Sequence, residues 1–305
     1  MRSSRFEMKV VAGPSSQDLA HKVAEQLSVG LVESSWKHFP DGEFYFRFDE
    51  DVSGEELIIV QSLYPPQNEH IFELLTIAHT AKDLGASKIV VFAPYLAYSR
   101  QDERYLPGEA ITSKLLAEIL CRIGIDAIYT VDIHNLKVLE YYRVPAYNLV
   151  ASPLIVRYFV ESRGVSKPFL LAPDDEEAAI KRVEEASKAL GGVPYDALEK
   201  RRDRYTGMIE TREKLLEVKG MDVIIIDDII STGGTAANAA RISKKMGARR
   251  VYVGVTHALL RGDALKLMEE AGVDEVVSTD SVPAITTKIS VAPLLREALI
   301  GKPQL

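Results

Sequence analysis

Two adjacent carboxylates, Asp227 and Asp228, directly follow an apolar run at residues 223–226. A short segment rich in hydroxyl groups and glycine comes next, and an alanine-rich stretch begins at Ala236. The apolar run predicts a buried strand ending before the two acids, and the alanine-rich stretch predicts a helix. Backbone N–H groups at a helix start bind phosphate, and glycine lets a ligand approach the backbone closely. The segment therefore predicts a phosphate cradle beside two acceptors for the vicinal hydroxyls of a sugar, as in a ribose 5-phosphate site. The cradle residues are Ser231, Thr232, Gly233, Gly234 and Thr235.

A glycine-containing turn between a strand and a helix is by itself a weak signal, because many α/β proteins have one for structural reasons. The pattern matches neither GxGxxG nor GxxxxGK[ST], which disfavours a dinucleotide-binding fold and a P-loop NTPase. Two charged side chains at the end of a buried strand cost free energy unless a ligand or metal satisfies them. The pair Asp227 and Asp228 therefore favours a binding site over a structural turn.

Two segments in the first half of the chain also carry candidate binding residues. The run Phe39, Pro40, Asp41, Gly42, Glu43 has ordinary turn chemistry, but its aromatic and acidic flanks also suit a loop that contacts a purine. Arg100, Gln101 and Asp102 follow a predicted strand at residues 88–93. Loops at the carboxyl ends of parallel strands bind ligands, and guanidinium groups suit phosphate oxygens. Taken alone, this second run is equally consistent with a solvated charge run.

Two single residues, His134 and Asp174, follow predicted strands at residues 127–131 and 169–172. A lone histidine is more often a hydrogen-bonded structural residue than a ligand, and acids at a helix start are favoured by the helix dipole. Their position at strand ends nevertheless makes His134 a candidate contact to magnesium or phosphate. Asp174 is a candidate metal ligand, because carboxylate oxygens suit Mg²⁺.

The basic run Lys200, Arg201, Arg202 lies in a polar stretch with little apolar periodicity, residues 195–208. Basic runs are usually solvated surface. In an acidic chain with several candidate phosphate sites, the run also suits a mobile loop that closes over polyphosphate. Cations on a transferring phosphoryl group would stabilise the charge of the transition state.

The composition is that of a globular protein, with 47% hydrophobic and 27% charged residues in 305. A net charge of -7 argues against non-specific nucleic-acid binding. We expect no membrane partner, since no apolar run is long enough to cross a bilayer. Cys121 is the single cysteine, which excludes an internal disulfide and a cysteine-based zinc site. The N-terminus lacks the apolar core of a signal peptide, and the cytoplasm is the expected compartment.

Strands and amphipathic helices alternate along the chain, which predicts an α/β fold with parallel βαβ units. Further strands are predicted at residues 9–12, 56–61 and 250–256, and helices at 17–26, 70–84, 110–123, 176–190 and 236–246. Residues 85–91 resemble residues 247–253, each after a helix that itself follows a strand, which favours duplication. We predict two similar domains, 1–148 and 149–291, with the C-terminal segment 292–305 as a candidate completion of the first.

Taken in order, these motifs resemble the ribose-phosphate pyrophosphokinases over nearly the whole chain, from about residue 8 to about residue 299. The loop 227–235 alone indicates the wider phosphoribosyltransferase superfamily. The FPDGE run, the Arg100-Gln101-Asp102 loop and the basic run at Lys200 narrow the resemblance to the pyrophosphokinases. It implies two phosphoribosyltransferase-type domains, each a mostly parallel sheet flanked by helices, in a homo-oligomeric enzyme. The implied reaction moves the β,γ-pyrophosphoryl group of MgATP to the C1 hydroxyl of ribose 5-phosphate, giving phosphoribosyl pyrophosphate and AMP for nucleotide biosynthesis.

The resemblance also implies roles for the motif residues. Lys200 and Arg202 would be the catalytic pair, and His134 and Asp174 would be associated with Mg²⁺. Asp227 and Asp228 would hold the ribose hydroxyls, with residues 231–235 on the 5-phosphate. ATP would be bound by a larger set, partly at a subunit interface: Phe39, Asp41, Gly42, Glu43, Arg100, Gln101 and Asp102.

Some positions depart from the pattern common in this family. Ser231 stands where many relatives have an aspartate, and Asp175-Glu176-Glu177 replaces a glycine-rich turn. Two rival functions stay open: a phosphoribosyltransferase that consumes phosphoribosyl pyrophosphate, and a non-catalytic regulatory relative of the pyrophosphokinases. The motifs of the N-terminal half argue against the first, and retention of Lys200 and Arg202 argues against the second.

Overall fold

The computed structural model describes residues 8–202, 209–211 and 216–301, with the backbone alone for 200–202 and 209–211. By the contacts within the chain, it divides into two compact units. One comprises the chain up to Leu149 together with the segment from Ser290 onward, and the other comprises Val150–Ile289.

The N-terminal unit is built on a five-stranded sheet of order β1-β4-β5-β6-β7, in which all neighbouring strands are parallel. Its strands are β1 (Met8–Ala12), β4 (Glu56–Val60), β5 (Lys88–Phe92), β6 (Ala127–Val131) and β7 (Ala146–Leu149). An antiparallel hairpin joins β2 (Ser34–His38) to β3 (Phe44–Phe48). The helices are α1 (Gln17–Leu27), α2 (Gln67–Asp83) and α3 (Thr112–Ile123).

The C-terminal unit is built on a six-stranded parallel sheet of order β15-β14-β13-β12-β8-β9. Its strands are β8 (Pro168–Ala172), β9 (Tyr195–Ala197), β12 (Asp222–Ile230), β13 (Arg250–Ala258), β14 (Glu275–Thr279) and β15 (Thr287–Ile289). Its helices are α4 (Ser152–Arg163), α5 (Glu177–Ala189), α6 (Gly234–Lys245) and α7 (Ala264–Glu270). Two short strands, β10 (Lys200–Arg202) and β11 (Ile209–Thr211), form a separate antiparallel pair.

Burial explains why the central strands read as continuous apolar runs. Leu57, Ile58, Ile59 and Val60 of β4 are all fully buried, because helices cover both faces of a parallel sheet. The same holds for residues 223–226 of β12. The predicted alternation of strands and helices, and with it the α/β fold class, is confirmed.

Two local predictions were wrong. The strand predicted to end at Ile226 continues to Ile230, because Ile229 and Ile230 extend the ladder with β13, opposite His257 and Ala258. The basic run predicted as a loop begins with a strand, β10, which pairs with β11 at Lys200↔Thr211 and Arg202↔Ile209.

The last helix, α8 (Ala292–Ile300), packs against α1 and so lies in the N-terminal unit. Within the part of the chain that the structure describes, no helix combines the length and the apolar character needed to cross a bilayer. The segment 1–7 lies outside the described residues.

Candidate active site

The two adjacent carboxylates lie within β12, beyond the point where its pairing with β8 stops at Ile225↔Leu171. On the other side β12 continues along β13, so the backbone at Asp227 stays in the ladder opposite Val255. Their side chains are mostly buried, with 15% of Asp227 and 10% of Asp228 exposed. The strand therefore carries both acids past the end of its shorter neighbour, where loops leave room for a ligand.

A buried arginine that the motifs did not predict compensates these acids. Arg182 of α5 places Nη1 3.8 Å from Oδ1 of Asp227 and Nη2 3.7 Å from Oδ2 of Asp228. It lies among the buried residues Ala179, Val183 and Ala186 on the face of α5 that covers the sheet. The sequence does indicate Arg182 in one way, because it places a cation at a core position of an amphipathic helix.

Burial and the neighbouring acids disfavour the charged form of Asp227. Burial raises the pKa of Asp227 well above its ordinary value, and the neighbouring charges of Asp228 and Asp174 raise it further. Arg182 opposes this shift, but its contribution is smaller than that of burial or of Asp228. Asp227 and Asp228 lie near one guanidinium with Asp174 close by, and their carboxylate oxygens are acceptors that suit a cation or a hydroxyl donor.

Asp174 lies in the turn between β8 and α5. The backbone N–H of Glu176 donates to its Oδ1 at 3.4 Å. Glu176 caps α5 through its backbone without a side-chain hydrogen bond to the helix, and Glu177 begins the helix. The acids that replace the family's glycine-rich turn thus form a helix start, as the helix dipole favours.

The predicted phosphate cradle forms the tight turn between β12 and α6. Gly233 adopts a left-handed φ of 78°, and a Cβ at this position would lie 2.9 Å from the backbone oxygen of Ala264. The N–H of Arg261 donates to the oxygen of Ser231 at 2.8 Å, which holds the start of the turn. Gly234 and Thr235 begin α6, and both are exposed. The first N–H groups of a helix have no acceptor within it, so α6 presents donors at this turn.

In the N-terminal unit, the FPDGE run forms the turn of the β2–β3 hairpin. The N–H of Phe39 donates to the oxygen of Glu43, and the N–H of Gly42 donates to the oxygen of Phe39, both at 2.8 Å. Gly42 has a φ of 95°. The ring of Phe39 is 39% exposed and packs edge-on against Tyr45, with Nζ of Lys37 4.6 Å from its centre. The turn therefore presents an aromatic face and two acids outward.

The Arg100-Gln101-Asp102 loop meets the loop that contains His134. Asp102 is buried and accepts a hydrogen bond from the side chain of Asn135, the residue after His134. The hydroxyl of Tyr141 donates to the backbone oxygen of Asp102 at 2.6 Å, and that of Thr112 donates to Oε1 of Gln101 at 2.6 Å. The side chain of Arg100 is exposed. Asp102 thus anchors the loop, while Arg100 is available to a ligand.

The predicted site residues with described side chains form three groups, of which one is the hairpin turn at residues 39–43. Asp174, Asp227, Asp228 and residues 231–235 come together in the C-terminal unit, and residues 100–102 and 134 come together in the N-terminal unit. Lys200 and Arg202 belong to the backbone of β10, and their side chains lie outside the described part of the chain.

Two parallel sheets, one carrying paired carboxylates and a hydroxyl- and glycine-rich turn at the carboxyl ends of its strands, define an α/β protein of the phosphoribosyltransferase type. Residues 8–124 match the N-terminal domain of ribose phosphate pyrophosphokinase, and residues 213–295 match a phosphoribosyl synthetase-associated domain.

Curated relatives are similar over almost their full length. A ribose-phosphate pyrophosphokinase of Methanothermobacter thermautotrophicus is 39% identical over 95% of this chain and 99% of its own, and one of Sulfurisphaera tokodaii is 37% identical over 93% and 96%. A crystal structure of phosphoribosylpyrophosphate synthetase from Mycobacterium smegmatis superposes with a TM-score of 0.84, covering 97% of this chain and 98% of that one at 29% identity. The chain belongs to the ribose-phosphate pyrophosphokinase family, which is a family of enzymes.

Proposed function

We propose that this chain transfers the β,γ-pyrophosphoryl group of ATP to the C1 hydroxyl of ribose 5-phosphate, giving phosphoribosyl pyrophosphate and AMP. The main support for this proposal is that Asp227 and Asp228 and the turn at residues 231–235 belong to one strand–turn–helix unit. Family membership over both halves of the chain supports the same reaction. It also disfavours a phosphoribosyltransferase, which has no need of the N-terminal pyrophosphokinase domain.

Ribose 5-phosphate would bind with its phosphate at the turn before α6 and its vicinal hydroxyls on the acids of β12. Hydroxyl groups donate to carboxylates, and an anion is favoured at a helix N-terminus. Ser231 retains a hydroxyl for the phosphate where many relatives carry an aspartate. It lacks that negative charge, so we expect phosphate binding to persist.

Mg²⁺ fits the donor chemistry of the C-terminal group. Asp174 offers carboxylate oxygens close enough to Asp227 for its charge to raise the pKa of that side chain. Bound Mg²⁺ would neutralise phosphate charge and orient the polyphosphate. For His134 the proposal rests on the family resemblance, since Mg²⁺ prefers oxygen over nitrogen ligands.

ATP would bind through the hairpin turn and the loop at Arg100. The exposed ring of Phe39 offers a stacking surface for adenine, and Arg100 offers a guanidinium to phosphate oxygens. Asp41, Gly42, Glu43, Gln101 and Asp102 complete the proposed set. We further propose a homo-oligomer in which the hairpin turn of one subunit serves the nucleotide of its neighbour, in the cytoplasm where both substrates occur.

The reaction needs little covalent chemistry from the protein. The substrate's C1 hydroxyl is the nucleophile, so binding in line and stabilising the developing charge supply most of the rate. Lys200 and Arg202 would place cations on the transferring group. Interactions formed only in the transition state change the turnover rate more than the binding of substrate.

Phosphorus NMR of the purified protein with MgATP and ribose 5-phosphate tests the reaction. We expect AMP together with a new diphosphate on a sugar. ADP would show ordinary phosphoryl transfer and contradict the proposal, and absence of turnover with both substrates bound would support a regulatory relative.

A pair of variants separates the proposed roles. Lys200→Ala should lower turnover by orders of magnitude while calorimetry shows ribose 5-phosphate still bound. Asp227→Asn should weaken ribose 5-phosphate binding itself. An unchanged turnover for Lys200→Ala, or an unchanged dissociation constant for Asp227→Asn, would remove that residue from its role.

A further inference from the structure

Three side chains converge in the N-terminal unit, outside the residues proposed for catalysis. His38 ends β2, and Glu69 and Glu73 lie on one face of α2 because they are four residues apart. Nε2 of His38 is 3.3 Å from Oε1 of Glu69 and 3.6 Å from Oε1 of Glu73. The ligand atoms of all three residues lie within 4.8 Å of one another. Among the residues that the structure describes, this is the one such group of three.

The spacing suits a shared cation better than a direct ion pair. Charge-assisted N–H···O bonds measure about 2.7–2.9 Å, so both contacts of His38 are longer than an optimised hydrogen bond. Ligands about 2.0–2.2 Å from a tetrahedral Zn²⁺ lie about 3.4 Å from one another. The two distances of 3.3 and 3.6 Å bracket that edge length.

A second layer of hydrogen bonds orients the buried ligand. Glu73 is 2% exposed, and Nε2 of Gln61 donates to its Oε2 at 2.7 Å, so Oε1 is the oxygen directed at His38. Gln61 is itself held, since the N–H of Ser15 donates to its Oε1 at 3.1 Å. Ligating carboxylates in metal sites are oriented by partners of this kind.

We propose that His38, Glu69 and Glu73 form a binding site for a divalent transition-metal cation of the Zn²⁺ type. One imidazole nitrogen and two carboxylate oxygens favour such a cation over Mg²⁺, which prefers oxygen ligands alone. His38 and Glu69 are partly exposed, at 31% and 50%, which leaves a path for the ion and room for a water as fourth ligand. Buried Glu73 supplies the fixed point of the site.

The cation would join the β2–β3 hairpin to α2. Phe39, the residue after His38, begins the turn that we propose to contact adenine. Metal binding would therefore restrain the nucleotide turn, a consequence that rests on the proposed function. The site itself depends only on the three ligands.

Zinc titration of the full chain tests the site. Protein stripped with EDTA and exchanged into chelator-free buffer with excess Mg²⁺, to occupy the carboxylates of the C-terminal unit, is titrated with Zn²⁺ by calorimetry. We expect the wild type to bind one Zn²⁺ that His38→Gln loses or binds at least tenfold more weakly. His79 is an exposed histidine on α2, the helix that carries Glu69 and Glu73, and the control variant His79→Gln should bind Zn²⁺ as the wild type does.

Equal zinc affinity and stoichiometry in wild type and His38→Gln would overturn the proposal. If His38→Gln fails to fold, as judged by circular dichroism, Glu69→Gln replaces it, because Glu69 is exposed. Since the titration contains neither ATP nor ribose 5-phosphate, its outcome does not depend on the proposed reaction. A change in the Michaelis constant for ATP on adding Zn²⁺ then measures the effect on the turn separately.

Discussion

Each unit contains a pair of carboxylates beside one basic side chain, but the two pairs are compensated differently. In the C-terminal unit, Asp227 and Asp228 face Arg182, a guanidinium that stays charged at any ordinary pH. In the N-terminal unit, Glu69 and Glu73 face His38, an imidazole that carries charge only when protonated. Burial raises the pKa of Asp227 well above its ordinary value and raises that of Glu73 to about 7.

The difference indicates two kinds of site. Arg182 keeps a permanent positive charge beside the aspartate pair, which suits a ligand that brings hydroxyl groups or a hard cation. The glutamate pair has no permanent cation among the described side chains beside it, so protons or a metal ion set its charge. The aspartate pair therefore suits a substrate that binds in every turnover. The glutamate pair suits a restraint on the β2–β3 hairpin that changes with pH or with metal binding.

The largest difference should appear when each basic residue is removed. Arg182→Met leaves two adjacent buried carboxylates without their cation, which should lower the free energy of unfolding by about 3 kcal/mol or more at pH 7. Urea denaturation measures the change, and Arg182→Lys, which keeps the charge, should lose less. An unchanged free energy of unfolding would show that the aspartate pair does not need a permanent cation.

In the turn after the aspartate pair, a side chain at Gly233 would meet both backbone strain and a steric clash. Comparison with Gly54, where only the strain applies, separates the two effects. Gly233 and Gly54 have nearly equal φ values of 78° and 76°, but only Gly233 has a backbone atom, the oxygen of Ala264, where a Cβ would be added. Both alanine variants should lose about 1–2 kcal/mol of stability from strain. Gly233→Ala should in addition raise the dissociation constant for ribose 5-phosphate about tenfold or more, measured by calorimetry, since a shift of about 1.4 kcal/mol suffices. Equal binding by the two variants would remove the turn from the site.

The glutamate pair should make stability depend on pH. Because the pKa of Glu73 rises from 4.5 to about 7 on folding, the folded chain holds a proton that the unfolded chain has lost between these values. Stability from Glu73 is therefore present below about pH 4.5 and is lost as the pH rises through about 7, by at most about 1.4 kcal/mol for each pH unit in that window. Glu73→Gln, compared with wild type by urea denaturation in chelator at pH 5 and pH 8, should gain relative stability at pH 8. If the free energy of unfolding changed equally in the two proteins between pH 5 and pH 8, Glu73 would be ionised at both pH values.

The smallest effect is expected for His38→Gln without metal at pH 8. His38 is partly exposed, and exposed charged pairs contribute little to stability, so the free energy of unfolding should change by less than about 0.5 kcal/mol. The matched contrast is Arg182→Met in the same buffer. If His38→Gln lost as much free energy of unfolding as Arg182→Met, the two carboxylate pairs would depend equally on their basic side chains.

Much of the fold could be predicted from neighbouring residues. The range predicted for β6 coincides with the observed one, and the fold class, the family and the enzyme reaction class are confirmed. The end of β12 was predicted wrongly, because acids usually close a buried strand, whereas here Ile229 and Ile230 continue the pairing with β13. The roles given to the site residues stay predictions.

Sequence alone determined the periodic pattern of apolar residues, the positions of the carboxylates and the glycine turn, because these are properties of residues adjacent in the chain. Tertiary structure alone decided that Arg182, 45 residues before Asp227, compensates the aspartates, and that His38 meets Glu69 and Glu73. Such contacts depend on which face of a helix packs against which strand. That choice minimises the free energy of the whole core, and no short stretch of sequence contains it.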